Sequence, residues 1–225
     1  MQQTLKLIVA VAIAAGALGC AGTKIRGDFG EFIGRAGDLA TGKTPTDAAR
    51  RMEDQYFADE RREGINRLSA RSFGRGEPYT ARYQQIAQTD SDYLVRSTAI
   101  RALNRSRDAA ATTIFIEGLS DPQVRVRLEA AKALANVPDE AAIPRLLQMV
   151  ADDREDRDVR IAAADALRNH KRVEVARGLI SLLNQRDFAV AWQARQSLKG
   201  ITNADFKYDE AAWLGLLASD QNPFG

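Results

Sequence analysis

From residue 60 onward the apolar positions recur in a nine-residue frame. Val95-Arg96 to Leu103, Val126-Arg127 to Leu134 and Val159-Arg160 to Leu167 share the pattern V-R-x-x-A-x-x-A-L. Val190-Ala191 to Leu198 is a degraded copy, and Glu60-Arg61 through Gly64 to Leu68 a weaker one. Positions 1, 5, 8 and 9 of the frame are apolar or small, and offsets of four and three place them on one face of a helix. First positions at 60, 95, 126, 159 and 190 give steps of 35, 31, 33 and 31 residues. Between the copies a second set of apolar helices is predicted at Tyr79 to Ala87, Ala110 to Leu119, Ala141 to Val150 and Val175 to Leu183. Asp92, Asp121-Pro122, Pro138-Asp139, Asp156 and Asp187 mark the turns between them, being residues that favour turns and helix N-caps. No alternating β-branched run suggests a strand.

A helix pair at this period cannot bury its apolar face alone, and stacking like pairs solves that problem. The expected fold is an all-α solenoid of about five helix pairs over residues 58–200. A lead-in helix precedes it in 45–57, started by Thr44-Pro45. A C-terminal cap over 201–219 closes the stack, with Asp209 as N-cap and Trp213, Leu216 and Leu217 on one face; residues 220–225 form a tail. Ala99, Ala130, Ala163 and Ala194 occupy the fifth position, where small size allows helices to approach.

These residues resemble the short HEAT-like repeats of the phycobilin-lyase type, whose second helix bears the V-R-x-x-A-x-x-A-L signature. The closing segment resembles one found after the repeats in some bacterial HEAT-repeat lipoproteins. The resemblance implies a right-handed solenoid with the signature helix on its concave side. It also implies a ladder between repeats, matching Asp92, Asp156 and Asp187 with Arg96, Arg127 and Arg160, and ending at Ala191.

The N-terminus points to export. Lys6 precedes an apolar run from Leu7 to Leu18, shorter than the roughly 20 residues of a spanning helix but suited to a signal peptide. It ends Ala17-Leu18-Gly19-Cys20-Ala21, which resembles the lipobox of bacterial lipoproteins. The resemblance implies a signal peptide over 1–19 and acylation of Cys20, with about 0.8 kcal/mol of membrane affinity for each buried CH₂. The small, Gly-rich residues 20–44 read as a tether. Ala21, where an aspartate would signal retention, implies the outer membrane, facing the periplasm.

Composition narrows the chemistry. Lys and Arg number 32 against 30 Asp and Glu, intermixed along the chain, so no field for nucleic acid is built. The single cysteine excludes an internal disulfide framework and a multi-cysteine metal site. Gly37-Asp38-Leu39-Ala40-Thr41-Gly42-Lys43-Thr44 fits the spacing of a phosphate-binding loop, but no strand precedes it and Pro45 follows, so no nucleotide is expected. His170 reads as a solvated turn residue, and Asp152, Asp153, Glu155, Asp156 and Asp158 as a solvated loop interleaved with Arg154 and Arg157. Trp192 is expected to pack, with the groove within its reach. No catalytic constellation, metal site or cofactor loop is expected.

The expected function is a non-catalytic, lipid-anchored envelope scaffold that binds a protein or peptide. The alternatives are a bilin-lyase-like enzyme or accessory, and a purely structural subunit of an envelope complex. On the signature helices the fourth and seventh positions should lie away from the apolar face: Thr98 and Arg101, Glu129 and Lys132, Ala162 and Asp165, Gln193 and Gln196. Of these Arg101, Glu129, Lys132, Asp165 and Gln193 are the candidate partner-binding residues. The lipobox reading predicts that Cys20→Ser abolishes membrane attachment. Fractionation of both forms checks it: a serine variant still requiring detergent for release would refute the anchor.

Overall fold

The computed structural model describes residues 44–224; Cys20, the signal and tether segments, and all but the last residue of the Gly37–Thr44 loop lie outside them. By its contacts the chain divides between Thr44 and Pro45. Among the described residues the structure is all-α, with eleven helices. They are α1 (Pro45–Met52), α2 (Ala58–Ser69), α3 (Tyr79–Thr89), α4 (Tyr93–Ser106), α5 (Thr112–Gly118), α6 (Val124–Asn136), α7 (Ile143–Ala151), α8 (Arg157–Leu167), α9 (Val173–Ile180), α10 (Phe188–Thr202) and α11 (Glu210–Ala218). Helix α1 packs on α2, α3 on α4, α5 on α6, α7 on α8 and α9 on α10. The expected lead-in helix is thus the first helix of the first pair.

Even-numbered helices stack consecutively from α2 to α10, while the odd-numbered row touches more thinly, through α3 with α5, α7 with α9 and α9 with α11. Dense contact on one side of a stack and sparse contact on the other is the geometry of a curved α-solenoid with the even-numbered, signature helices inside. The chain follows its apolar frame closely: Val95, Val126, Val159 and Val190 are buried at position 1, and Leu68, Leu103, Leu134, Leu167 and Leu198 are fully buried at position 9. Position 5 is where the two helices of a pair meet. A Cβ on Gly64 would come within 2.4 Å of the Met52 backbone nitrogen in α1, and one on Gly118 within 3.0 Å of the Ala130 Cβ. At Gly64 only glycine fits, and the alanine at position 130 is accommodated by the glycine opposite it.

The turn aspartates divide into two jobs. Asp92, Asp156 and Asp187, expected in the ladder, are N-caps instead, accepting from the amides of Leu94 and Val95, of Asp158 and Val159, and of Ala189. The carboxylates that form the ladder stand one or two residues earlier, because the arginine fork reaches across to the loop before the next signature helix. Arg61 donates to Asp90 at 2.7 and 2.9 Å, Arg96 to Asp121 at 2.9 and 3.0 Å, and Arg127 to Glu155 at 2.9 and 2.7 Å. The Nη1 of each arginine donates to a carbonyl of the loop preceding its own helix: Asp54, Asp90 and Asp121 respectively. Asp90 and Asp121 therefore serve two rungs each, one by carboxylate and one by carbonyl. The fourth rung differs: buried Arg160 donates to the Gln185 amide oxygen at 2.7 Å and to the Val150 carbonyl, with exposed Asp153 as counter-charge at 3.1 Å. No arginine follows at Ala191, and the ladder ends there.

The closing segment turns on Asn203 and Lys207, both with positive φ. Asp209 caps α11 through the amide of Ala212. Trp213 is buried, donates Nε1–H to the Lys207 carbonyl at 3.0 Å and meets Phe206 edge-on at 5.1 Å. Because α11 packs on α9, it occupies the place of a sixth odd-numbered helix and covers the last pair.

The amide in the fourth rung makes a prediction. Gln185→Glu supplies Arg160 with the carboxylate that Glu155 gives Arg127. It should raise unfolding stability by about 1 kcal/mol, the scale of turning a guanidinium–amide hydrogen bond into a partly buried ion pair. Urea unfolding that showed a loss of stability would remove the ladder as a stabilising element.

Candidate partner-binding groove

The signature helices leave two rows uncovered. Position 4, expected to be free, is buried between neighbouring helices: Thr98, Glu129 and Ala162 are 4, 6 and 7% exposed. The reason is helical phase, since position 4 sits beside position 8 and faces the adjoining signature helix. Position 7 faces out instead, and from α6 onward so does position 3. Between α6, α8 and α10 they frame an open groove of about 340 Å³, lined by Leu128, Lys132, Asp158, Ile161, Ala162, Asp165 and Gln193. Leu128 and Ile161 form its apolar floor, each resting half-buried on the core.

Of the five candidate residues the structure brings Lys132, Asp165 and Gln193 together in this groove. Gln193 donates to Asp165 at 3.0 Å across the α8–α10 seam, and Arg168 pairs with the same carboxylate at 2.8 Å. Arg101 and Glu129 belong to a separate tie, Glu129 being buried between Arg101 at 3.4 Å and Arg125 at 3.7 Å. Glu129 thus holds α6 to α4, and its burial corrects the expectation that it is presented outward. Lys132 and Asp158 are exposed, and among the described residues neither has an ion-pair partner. Sequence reasoning missed Leu128 and Ile161, whose signal was the apolar residue at position 3 on a face otherwise taken as polar.

Trp192 continues the position-3 row onto α10 and is 46% exposed, whereas Trp213 is buried. Four residues earlier Phe188 is exposed, tilted against Tyr208 with ring centroids 5.9 Å apart. The Arg195 guanidinium lies 5.4 Å from the Tyr208 ring and grips Asp205 at 2.9 and 2.7 Å. That grip, above all, holds the Asp205 carboxyl well below its usual range.

Two expectations about charged loops change. The acidic run is largely spoken for, Glu155 on Arg127, Asp156 as N-cap and Asp153 on Arg160. Among the described residues no group of three or more His, Cys, Asp or Glu side chains is arranged to hold a metal. His170 is not solvated: it is 6% exposed and, among the described residues, its Nε2 has no hydrogen-bond partner. The turn after α8 folds back onto the Asp139–Glu140 turn, which sequence spacing alone did not disclose. Burial lowers the imidazole pKa from 6.5, with Glu140 and Asp139 pulling the other way and Arg172 adding to the depression.

With this geometry the protein falls in the class of α-solenoids. Residues 81–168 match the family described as HEAT repeats. The fold is similar to the complex of CpcE and CpcF of phycocyanin lyase from Nostoc sp. PCC7120, with a TM-score of 0.62 at 19% identity over 79% of this chain and 71% of that one. It is similar to Escherichia coli YibA, with a TM-score of 0.59 at 19% identity, covering 77% of this chain and 63% of that chain. An engineered protein gives 0.57 at 19% identity, covering 79% and 91%. No curated protein matches the chain in sequence. Identities this low carry the architecture and leave the chemistry to the chain's own residues.

The buried histidine sets a pH dependence. Its folded pKa is depressed, so between that value and 6.5 the unfolded chain binds more protons, and stability falls as pH drops through 6.5. The slope contributed is at most about 1.4 kcal/mol per pH unit. Comparing melting at pH 7.5 and 5.5, wild type should lose more stability than His170→Gln; equal losses would show that the ring titrates alike folded and unfolded.

Proposed function

We propose that this protein is a non-catalytic scaffold of the cell envelope, anchored by lipid at Cys20, which binds a protein or peptide partner on its signature-helix face. One observation carries the reading: the α6–α8–α10 groove combines an apolar floor with an unpaired cation and an unpaired carboxylate at its rims. Elsewhere on the stack the charges are mostly tied to one another, as in Arg101–Glu129, Arg82–Glu53 and Arg195–Asp205. Charges left free beside apolar surface are where a partner gains most, since no internal pair has to be broken. Repeat arrays recognise partners through such extended surfaces. In this reading the attachment is acylated Cys20; among the described residues no helix is long and apolar enough to cross a membrane. A phycocyanin lyase shares the fold, which supports the architecture and assigns no reaction to this chain.

The test uses full-length protein for capture from native membranes. Lys132→Glu should cost at least tenfold in recovery of a stoichiometric partner while melting is unchanged, and Arg177→Glu, on the odd-helix row at α9, should cost nothing. Loss with Arg177→Glu and retention with Lys132→Glu would put the partner on the opposite face.

A further inference from the structure

The groove's floor is one segment of a longer row. Leu128, Ile161 and Trp192 all stand at position 3 of successive signature helices, α6, α8 and α10. Ser97 at the same position of α4 is buried, so the apolar row starts at α6. It runs across the helices, and its period is therefore the distance between helix axes, about 9 Å for helices packed through small residues. A ligand that lays one apolar side chain on each step must repeat itself every 9 Å. Polyproline II repeats every three residues at 3.1 Å each, or about 9.3 Å. A β-strand presents one face every 6.7 Å and an α-helix every 5.4 Å, so both fall out of step by the second helix.

The flanks of the row fit the same ligand. Lys132 lies one turn beyond Leu128 on α6, and Asp158 one turn before Ile161 on α8, so a free cation and a free carboxylate border the row on opposite sides. A polyproline II segment has three faces. One rests on the floor, and the other two point to the two flanks. On the Lys132 side the row continues with Asp165, already held by Arg168 and Gln193, and on α10 with the neutral Gln196. An acidic side chain of the ligand is accordingly matched at the α6 step and nowhere else on that flank.

We propose that this face binds a polyproline II segment of a protein partner with an apolar residue at every third position. The segment carries an acidic residue facing Lys132 and a basic residue facing Asp158. Trp192 takes the last apolar residue, where its exposed ring can stack flat on a proline. The proposal rests on the scaffold reading above and specifies the ligand of the same groove.

Fluorescence anisotropy of labelled synthetic peptides on the full-length protein tests it. Proline-rich peptides with leucine at every third position, one acidic and one basic flank residue, are compared with peptides of equal composition whose leucines recur every second, fourth or seventh position. The three-residue period should bind at least tenfold more tightly than any other. Trp192→Ala should lower that affinity about tenfold, and the double reversal Lys132→Glu with Asp158→Lys should transfer preference to the peptide with its two charges exchanged. Binding should also shift the protein's own emission, since Trp213 is buried and Trp192 is the responsive one of two tryptophans; Trp192→Phe should erase that shift. Equal affinity for all periods, or tighter binding of the helical period, overturns the polyproline II ligand even if Lys132-dependent capture from membranes persists. Loss of that capture response, with period-selective peptide binding retained, would instead remove the scaffold reading and leave the groove specificity standing.

Discussion

Everything in this fold depends on how closely the two helices of a pair can cross at position 5. Gly64 meets the α1 backbone and Ala130 meets Gly118, contacts that leave no room for a larger side chain. With the crossing that tight, position 1 valine and position 9 leucine seal above and below it, and each pair buries one face. The other face needs the next pair. A core built this way is continuous from Ala48 to Trp213, although every part of it is local in sequence. That is why a chain of modest aromatic content can hold an elongated body together.

The arginine ladder sets how one pair sits on the next. Hydrophobic contact alone is tolerant of small slides, since apolar area changes little with position. A bidentate fork is not, because its two hydrogen bonds fix distance and angle together. Each of Arg61, Arg96 and Arg127 binds the loop behind it through Nη1 and the loop ahead through its fork. The partially buried charges are therefore satisfied on both sides, the condition under which such pairs hold a structure without a desolvation penalty left over. At the C-terminal end the device gives way to Gln185 and then to the aromatic closure around Trp213, where no further repeat has to be aligned.

The groove follows from the same two constraints. Crowding at the seams buries position 4 and turns Glu129 into an internal tie. What remains outward on α6, α8 and α10 is the apolar third position and the polar seventh. Because Lys132 and Asp158 have no ion-pair partner among the described residues, the face keeps two opposite charges available beside exposed hydrocarbon. A surface of that kind recognises a ligand by spacing and by sign.

The sequence by itself determined the helices, the stack and every pairing but that of α1 with α2, because each depends on contacts between residues three or four apart or one repeat apart, and the V-R-x-x-A-x-x-A-L frame records those contacts directly. Asp209 as N-cap and Trp213 as the closing plug were legible for the same reason. Tertiary structure alone decided the matters that depend on contacts across seams. The arginines chose Asp90, Asp121 and Glu155 over Asp92, Asp156 and Asp187, because a side chain's reach from one helix to the next loop does not follow sequence register. His170 became buried, with the carboxylates of the distant Asp139–Glu140 turn brought close enough to act on its ring. Lys132, Asp165 and Gln193 came together, while Arg101 and Glu129 paired elsewhere, since the phase between neighbouring helices, which no single helix contains, selects the residues that face the groove.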